Sequence, residues 1–233
     1  MVATVVNDRV TAIGGNPEHS YTRGFLCHKV SHYLDIVYHR DRLSHPLRRV
    51  GPKGAGRFER ISWDEALNEI AARFQSISRG PHGPQAILPY SYCGTMGKVQ
   101  SQGMDRRFFN RLGASQLDRT ICATAGGLGY TYTIGHRIGT QAEAFADSRY
   151  IINWGSNTAV TNSHLWTYMV AARKAGARIV TIDPYRCVTA ARSDWHLAPR
   201  VGTDAALALG LMHVLFRDGL CDTDYLEQYC LGA

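Results

Sequence analysis

Two periods of apolar spacing run through this chain, and the places where one gives way to the other mark its organisation. Val2 to Val6 reads as a strand, Asn7-Asp8 as a turn and Arg9 to Ile13 as the return strand, closed by Gly14-Gly15-Asn16-Pro17. Residues 39 to 60 are irregular, with prolines, glycines and positive charge. Ser62 then opens a helix: its hydroxyl can cap free backbone N–H groups, and Glu65 three residues on completes a capping box. Trp63, Ala66, Leu67, Ile70, Ala71, Phe74 and Ile77 follow at helical spacing, a stripe expected to pack in a core. Gly80-Pro81-His82-Gly83-Pro84 ends that helix, and Gln85 to Tyr92 is expected to form a buried strand. A helix with a basic face follows near Gln100 to Leu112. Residues 113 to 147, rich in glycine, threonine and alanine, show no strong period; a long segment of this kind in a compact chain is usually functional.

From Arg149 the pattern becomes β-α-β-α. Tyr150 to Trp154 and Arg178 to Ile182 read as buried strands, and the helix around His164 to Lys174 between them should end on a left-handed cap at Gly176. A further helix spans Asp204 to Arg217, and a short one follows Asp224. Strands alternating with helices imply parallel pairing through right-handed crossovers. The expected fold class is therefore α/β: a small β-rich N-terminal subdomain followed by partial, doubly wound parallel-sheet domains. Two strands in the last unit are fewer than a complete doubly wound sheet needs, so the chain is expected to stop in mid-domain.

Composition narrows the function classes. With 45% apolar and 19% charged residues among 233, the chain is globular in type. It has no apolar run long enough for a membrane span and no basic-then-apolar leader, which makes a cytoplasmic location the expectation. Six scattered cysteines without a Cys-x-x-Cys pair argue against a disulfide scaffold or a self-contained zinc site. The chain carries a net charge of +7, and its basic residues concentrate between Arg40 and Arg60, in Arg40, Arg42, Arg48, Arg49, Lys53, Arg57 and Arg60. Aromatic residues are not interleaved with these charges as a nucleic-acid stacking platform requires, so no nucleic-acid partner is expected.

The chemistry gathers at the ends of the strands. Trp154-Gly155-Ser156-Asn157, Asp183-Pro184 and Gly202-Thr203-Asp204-Ala205-Ala206-Leu207 each stand where a strand should hand over to a loop or helix. Open α/β sheets bind nucleotides outside the carboxyl ends of their strands, which suggests a nucleotide-bearing cofactor. No Gly-x-Gly-x-x-Gly follows the first strand, so the usual dinucleotide fingerprint is absent.

These segments, taken with three upstream, carry a specific resemblance. Gly24-Phe25-Leu26-Cys27-His28-Lys29 resembles the Gly-x-x-Cys-x-Lys-Gly element of the molybdopterin oxidoreductases of the dimethyl sulfoxide reductase superfamily. Arg42-Leu43-Ser44-His45-Pro46-Leu47-Arg48-Arg49-Val50-Gly51 is similar to their Arg-Leu-x-x-Pro-Leu-x-Arg-x-Gly, and Phe58 to Ala66 to their Phe-x-x-Ile-Ser-Trp-Asp-Glu-Ala. The strand-end motifs continue the match in the family's order.

The resemblance implies two molybdopterin guanine dinucleotides holding molybdenum or tungsten, an adjacent four-iron cluster, and two-electron or oxygen-atom transfer on a small substrate. The whole family is much longer, so the chain looks like an amino-terminal third. By this likeness residues 1-50 are a remnant of the iron-sulfur subdomain, 51-145 a partial first α/β domain, and 146-233 the start of the dinucleotide-binding domain. Gly155 would let the backbone approach a cofactor phosphate and Asn157 would hydrogen-bond there, Asp183 would accept from ribose hydroxyls and Asp204 from the guanine edge, with Trp154, Gly202 and Thr203 as further cofactor-binding residues of the same motifs; acceptor-only carboxylates suit such donors. Cys122 falls where the family places its metal ligand, and a thiolate is a soft donor suited to that metal. Lys29 resembles the lysine between cluster and pterin, and His136, Arg137 and His164 are candidates for the substrate funnel. An electron-transfer protein is the implied partner.

Departures from the family pattern matter as well. Val30 replaces a glycine, Val201 replaces a proline, and Cys27 stands without the three cysteines that should precede it. One cysteine cannot hold a four-iron cluster, which takes four thiolates. A rival expectation is therefore a non-catalytic module that retains nucleotide or pterin binding.

Overall fold

The computed structural model describes residues 1–231 except Cys93, Thr95, Met96, Gln100, Ser101 and Gln102. Two compact units emerge: Met1–Tyr38 with Gly139–Ala233, and His39–Ile138.

In the first unit, β1 (Val2–Val6) and β2 (Arg9–Gly14) pair antiparallel, as the alternation predicts. Asn7 and Asp8 both take positive φ, 50° and 58°, the geometry of a primed hairpin turn whose twist matches the strands. Two short helices follow, α1 (His28–Ser31) and α2 (Tyr33–Val37), and the Tyr38 hydroxyl accepts from Val10 N at 2.9 Å, tying them to the hairpin. After residue 139 the chain builds a three-stranded parallel sheet in the order β5 (Tyr150–Trp154), β6 (Arg178–Ile182), β7 (Trp195–Leu197). β7 is a strand the periodicity did not predict; at three residues it is too short to show a period of two. The crossover from β5 to β6 runs through α6 (Thr158–Thr161) and α7 (Ser163–Lys174), and Gly176 takes the left-handed conformation expected after α7, φ +101°. The unit closes with α8 (Val188–Ala191), α9 (Asp204–Arg217) and α10 (Thr223–Tyr229). The best-buried part of the molecule lies under this sheet: Ile151, Trp166, Met169, Ala172 and Ile179 form one cluster, with Ala172 and Ile179 fully inaccessible.

In the second unit, β3 (Leu47–Arg49) and β4 (Phe58–Arg60) form an antiparallel pair inside the stretch expected to be irregular. α3 (Trp63–Ser78) starts on the capping box foreseen: Ser62 Oγ accepts from Glu65 N at 3.1 Å and Glu65 Oε2 accepts from Ser62 N at 2.7 Å. Its apolar stripe is not buried as expected, since Trp63 is 63% and Ile70 51% exposed. The strand expected at Gln85 to Tyr92 does not form. A 3-10 turn at Gly83–Ala86 gives way to irregular backbone, and Pro89, lacking an N–H, removes a ladder donor midway. α4 (Met104–Leu112) ends on Gly113 at φ +79°. The weakly periodic region holds α5 (Cys122–Ile134), whose small residues give it no amphipathic signature to read. Among the described residues no helix is long and apolar enough to cross a membrane.

Candidate nucleotide site at the sheet edge

The carboxyl ends of β5 and β6 and the start of α9 meet at one edge of the parallel sheet. Gly155 takes φ +58°, where side chains are strained, and nothing lies within 4 Å of where a Cβ would stand. Its N–H donates to the Ile182 carbonyl at 2.8 Å, which holds the β5 turn against the β6 turn. The Trp154 indole Nε1–H donates to Asp204 Oδ1 at 2.7 Å, joining the same turn to the first residue of α9. Gly202, at φ +84°, lets the chain reverse just before that helix. The three motifs separated in sequence thus share one edge.

A buried polar network supports this edge. Asn153 stands mid-strand in β5, where its Nδ2 donates to the Ser156 carbonyl at 2.6 Å and its Oδ1 accepts from Thr158 Oγ1 at 2.6 Å. Asn157 Oδ1 accepts from both the N and Oγ1 of Thr189, at 3.2 and 3.1 Å. Thr189 Oγ1 in turn accepts from Ala159 N at 2.9 Å. Thr181, fully buried on β6, shares a hydroxyl contact of 2.6 Å with Ser193. With Asn153, Thr158, Thr181 and Thr189 all buried and bonded, the loop after β5 is held from beneath, which is how buried polar groups avoid their desolvation cost. Sequence reading missed Thr158, Thr181, Thr189 and Ser193; only Thr181, a polar residue inside the otherwise apolar β6, left a signal that could have been read.

What remains free at the edge suits an anion with hydroxyl donors. Among the described residues, the N–H groups of Ser156, Asn157 and Thr158 have no acceptor. Three consecutive unpartnered amides are the arrangement that backbone offers to phosphate. Asp183 Oδ1 accepts from Tyr185 N at 2.8 Å, and Asp204 is exposed; in both carboxylates Oδ2 has no partner among the described residues. Thr203 Oγ1 donates to the Arg200 carbonyl at 2.7 Å, shaping the turn before α9.

The remaining expected site residues are distributed between the units. Lys29 Nζ donates to the Val160 carbonyl at 2.6 Å, so the lysine is bound to the segment that follows Asn157. Cys27, in the first unit, is 7% exposed at the start of α1. No group of three or more His, Cys, Asp or Glu side chains gathers for a metal among the described residues, so a cluster at Cys27 requires thiolates from elsewhere. His164, also in the first unit, packs edge-on against Phe25 with ring centroids 5.2 Å apart. Cys122 begins α5 in the second unit and is exposed, with Ile121 N donating to the Tyr92 hydroxyl at 2.8 Å beside it. Arg137 folds back to donate to the Ala123 carbonyl at 2.8 Å across Gly127, where a Cβ would come 2.1 Å from its Nε. His136 is exposed, and Cys93 lies outside the described residues. In the basic stretch, Arg48 is paired with Glu59 at 3.3 Å and with Glu69 at 2.9 Å.

Comparison with known proteins fits this geometry. The family model described as molybdopterin oxidoreductase matches residues 42–226. The chain is 44% identical over 224 residues to the probable oxidoreductase YoaE of Bacillus subtilis, covering 96% of this chain and 33% of that protein. It is 36% identical to the dimethyl sulfoxide reductase DmsA of Haemophilus influenzae, covering 84% of this chain and 26% of that one. Among solved structures, acetylene hydratase from Pelobacter acetylenicus superposes with a TM-score of 0.67 at 31% identity, over 97% of this chain and 31% of that chain. The chain therefore spans about a third or less of the length of these relatives. An α/β chain with a parallel sheet, matched by the family model over most of its length and by these relatives, belongs to the molybdopterin oxidoreductase family, among the relatives of dimethyl sulfoxide reductase.

Proposed function

We propose that this chain supplies the amino-terminal part of a molybdenum or tungsten oxidoreductase whose cofactor is a bis-molybdopterin guanine dinucleotide. The observation that carries the reading is the pair of bonds, Gly155 N to Ile182 O and Trp154 Nε1 to Asp204 Oδ1, that gathers three nucleotide-type turns at one sheet edge. In this reading the amides of Ser156, Asn157 and Thr158 receive a phosphate, and Gly155 keeps the approach clear of side chains. Asp183 accepts from ribose hydroxyls. Asp204, oriented by Trp154 and presented by Gly202 and Thr203, accepts from the guanine edge. Lys29 fixes the loop after Asn157 from the amino-terminal side, and Cys122 provides the soft anionic donor for the metal.

When bound, the cofactor supplies a metal that exchanges two electrons, and in some reactions an oxygen atom, with a small substrate. The chain's own part is to bind, orient and exclude water. An electron-transfer partner protein, a cytoplasmic location and the division at residues 50 and 145 belong to the same proposal. So does the acceptance of a small-molecule substrate. Cys27 would join a four-iron cluster only where three further cysteines precede it.

Metal analysis by mass spectrometry, joined to fluorescence of the oxidised pterin, tests the reading on protein expressed in a host that makes the cofactor. Pterin with molybdenum or tungsten in the wild type, metal lost in Cys122→Ala and pterin lost in Asp204→Ala are expected. Neither metal nor pterin above background would refute it. Guanine nucleotide binding without metal would favour the non-catalytic module.

A further inference from the structure

One turn of the first unit carries a pair of imidazoles to which cofactor binding gives no part. His28 and His32 stand four residues apart, at the start of α1 and at its carboxyl cap, so the helical period puts both on one face. The turn is fastened to the unit by its other residues. Cys27 is buried just before it, and Lys29 Nζ donates to the Val160 carbonyl at 2.6 Å. Both histidines are left exposed, with ring centroids 4.8 Å apart and planes at 67°.

That spacing is the one a shared metal ion needs. With a metal–nitrogen bond of about 2.0 Å and a ring centre about 1.2 Å behind the nitrogen, two imidazoles on one ion have centroids about 4.5 Å apart at a right angle and about 5.2 Å apart at the tetrahedral angle. The observed 4.8 Å falls between these limits. The outer torsion of a histidine is broad, so turning the ring nitrogens toward a common point costs little.

His32 is already prepared as a ligand. A carboxylate can only accept, so His32 Nδ1–H donates to Asp35 Oδ2 at 3.3 Å and the lone pair is left on Nε2. A carboxylate on the far nitrogen is what fixes the tautomer and raises the basicity of metal-ligating histidines. The ring nitrogens of His28 have no hydrogen bond among the described residues and are open to a ligand.

We propose that His28 and His32 form a two-imidazole chelate for a late first-row divalent cation, with Asp35 as a positioning residue and waters in the remaining places. Nitrogen donors select against Ca2+ and Mg2+, which take oxygen, and the order of stabilities among the rest favours Cu2+ over Ni2+ and Zn2+. Two protein ligands, where a structural zinc site has about four, make the ion exchangeable. By linkage, the bound ion stabilises the turn between α1 and α2 as its concentration rises past the dissociation constant. A chain that holds no pterin should bind the ion equally well.

Calorimetric titration of the full chain with Ni2+ tests this, after alkylation of the exposed thiols so that they do not compete. Imidazole NMR on the same samples locates the ion. The expected results are saturable binding of a single Ni2+ and paramagnetic broadening at His28 and His32 before any other histidine. His28→Ala and His32→Ala should each weaken binding by about a hundredfold, because loss of one ring removes the chelate. Asp35→Asn should weaken it by about tenfold and move the His32 nitrogen shifts toward the other tautomer. His39→Ala should change nothing, since His39 has a carboxylate beside it, Asp41 at 4.0 Å, but no paired imidazole among the described residues. All four substituted side chains are exposed, so circular dichroism should show the fold unchanged. Ni2+ affinity that survives in either of the first two alanine variants would overturn the proposal, as would broadening that starts at other histidines or the absence of saturable binding.

Discussion

Replacing Thr189 with valine removes the hydroxyl that joins α8 to the start of α6 while keeping the side chain's shape. Thr189 is fully buried, and its Oγ1 accepts from Ala159 N at 2.9 Å and donates to Asn157 Oδ1 at 3.1 Å. Valine leaves the Ala159 amide without an acceptor, whereas Asn157 Oδ1 keeps the Thr189 backbone N–H at 3.2 Å. An unsatisfied buried donor costs about 1–3 kcal/mol, and Ala159 is only half-buried, so about 1.4 kcal/mol is expected. That is roughly a tenfold rise in the opening of the Asn157–Thr161 loop. Thr189→Ser keeps the hydroxyl and loses a methyl group, for a smaller cost of about 1 kcal/mol that should fall on the core rather than the loop. Amide exchange at Ala159, Val160 and Thr161, read beside the core amides of β6, distinguishes the two. The reasoning fails if valine leaves the loop amides as protected as threonine does, or if serine exposes them more than valine.

Ile179→Ala empties a fully inaccessible position under the sheet and should cost about 3 kcal/mol in urea denaturation; a loss below 1 kcal/mol would mean the cluster there collapses to fill the space. Asp204→Ala should move the Trp154 indole N–H resonance upfield in proton NMR, because its acceptor at 2.7 Å is gone, and an unmoved resonance would remove the link between the β5 turn and α9. Glu65 is held below its ordinary value, first by the Ser62 N–H and then by the Ser62 hydroxyl. A carboxylate depressed in the folded state contributes stability above its unfolded value and loses it as pH falls through the folded one. The first turn of α3 should therefore fray on acidification through and below the usual carboxylate range, and Glu65→Gln should flatten that dependence in amide exchange.

Much of this architecture was legible because local signals were strong and agreed. The Asn7-Asp8 turn, the Ser62–Glu65 box and the Gly176 cap each satisfy a local backbone need that sequence states directly. The strand-end motifs were legible for the same reason, since Gly155 and Gly202 are demanded by positive φ. What escaped lacks a period. β7 is three residues long, and α5 is built of small residues whose placement depends on neighbours such as Arg137. Gln85 to Tyr92 misled because apolar content suggested a ladder that Pro89 cannot complete. The network beneath the site was hidden because Thr181 and Thr189 are common strand and helix residues, and only burial reveals that their hydroxyls must be answered. The bond between Trp154 and Asp204 spans 50 residues, a distance no local pattern encodes.

The Tyr168 hydroxyl donates to the Tyr21 carbonyl at 2.5 Å, and the two rings stack with centroids 5.6 Å apart, across 147 positions of chain. Translation at 5–20 residues per second separates those two tyrosines by roughly 7–30 s on the ribosome. Throughout that interval Tyr21 and the nearby Phe25 lack the α7 surface that Tyr168 and His164 present to them. That corner of the first unit therefore closes only once α7 has been made, however early the residues before it are ready.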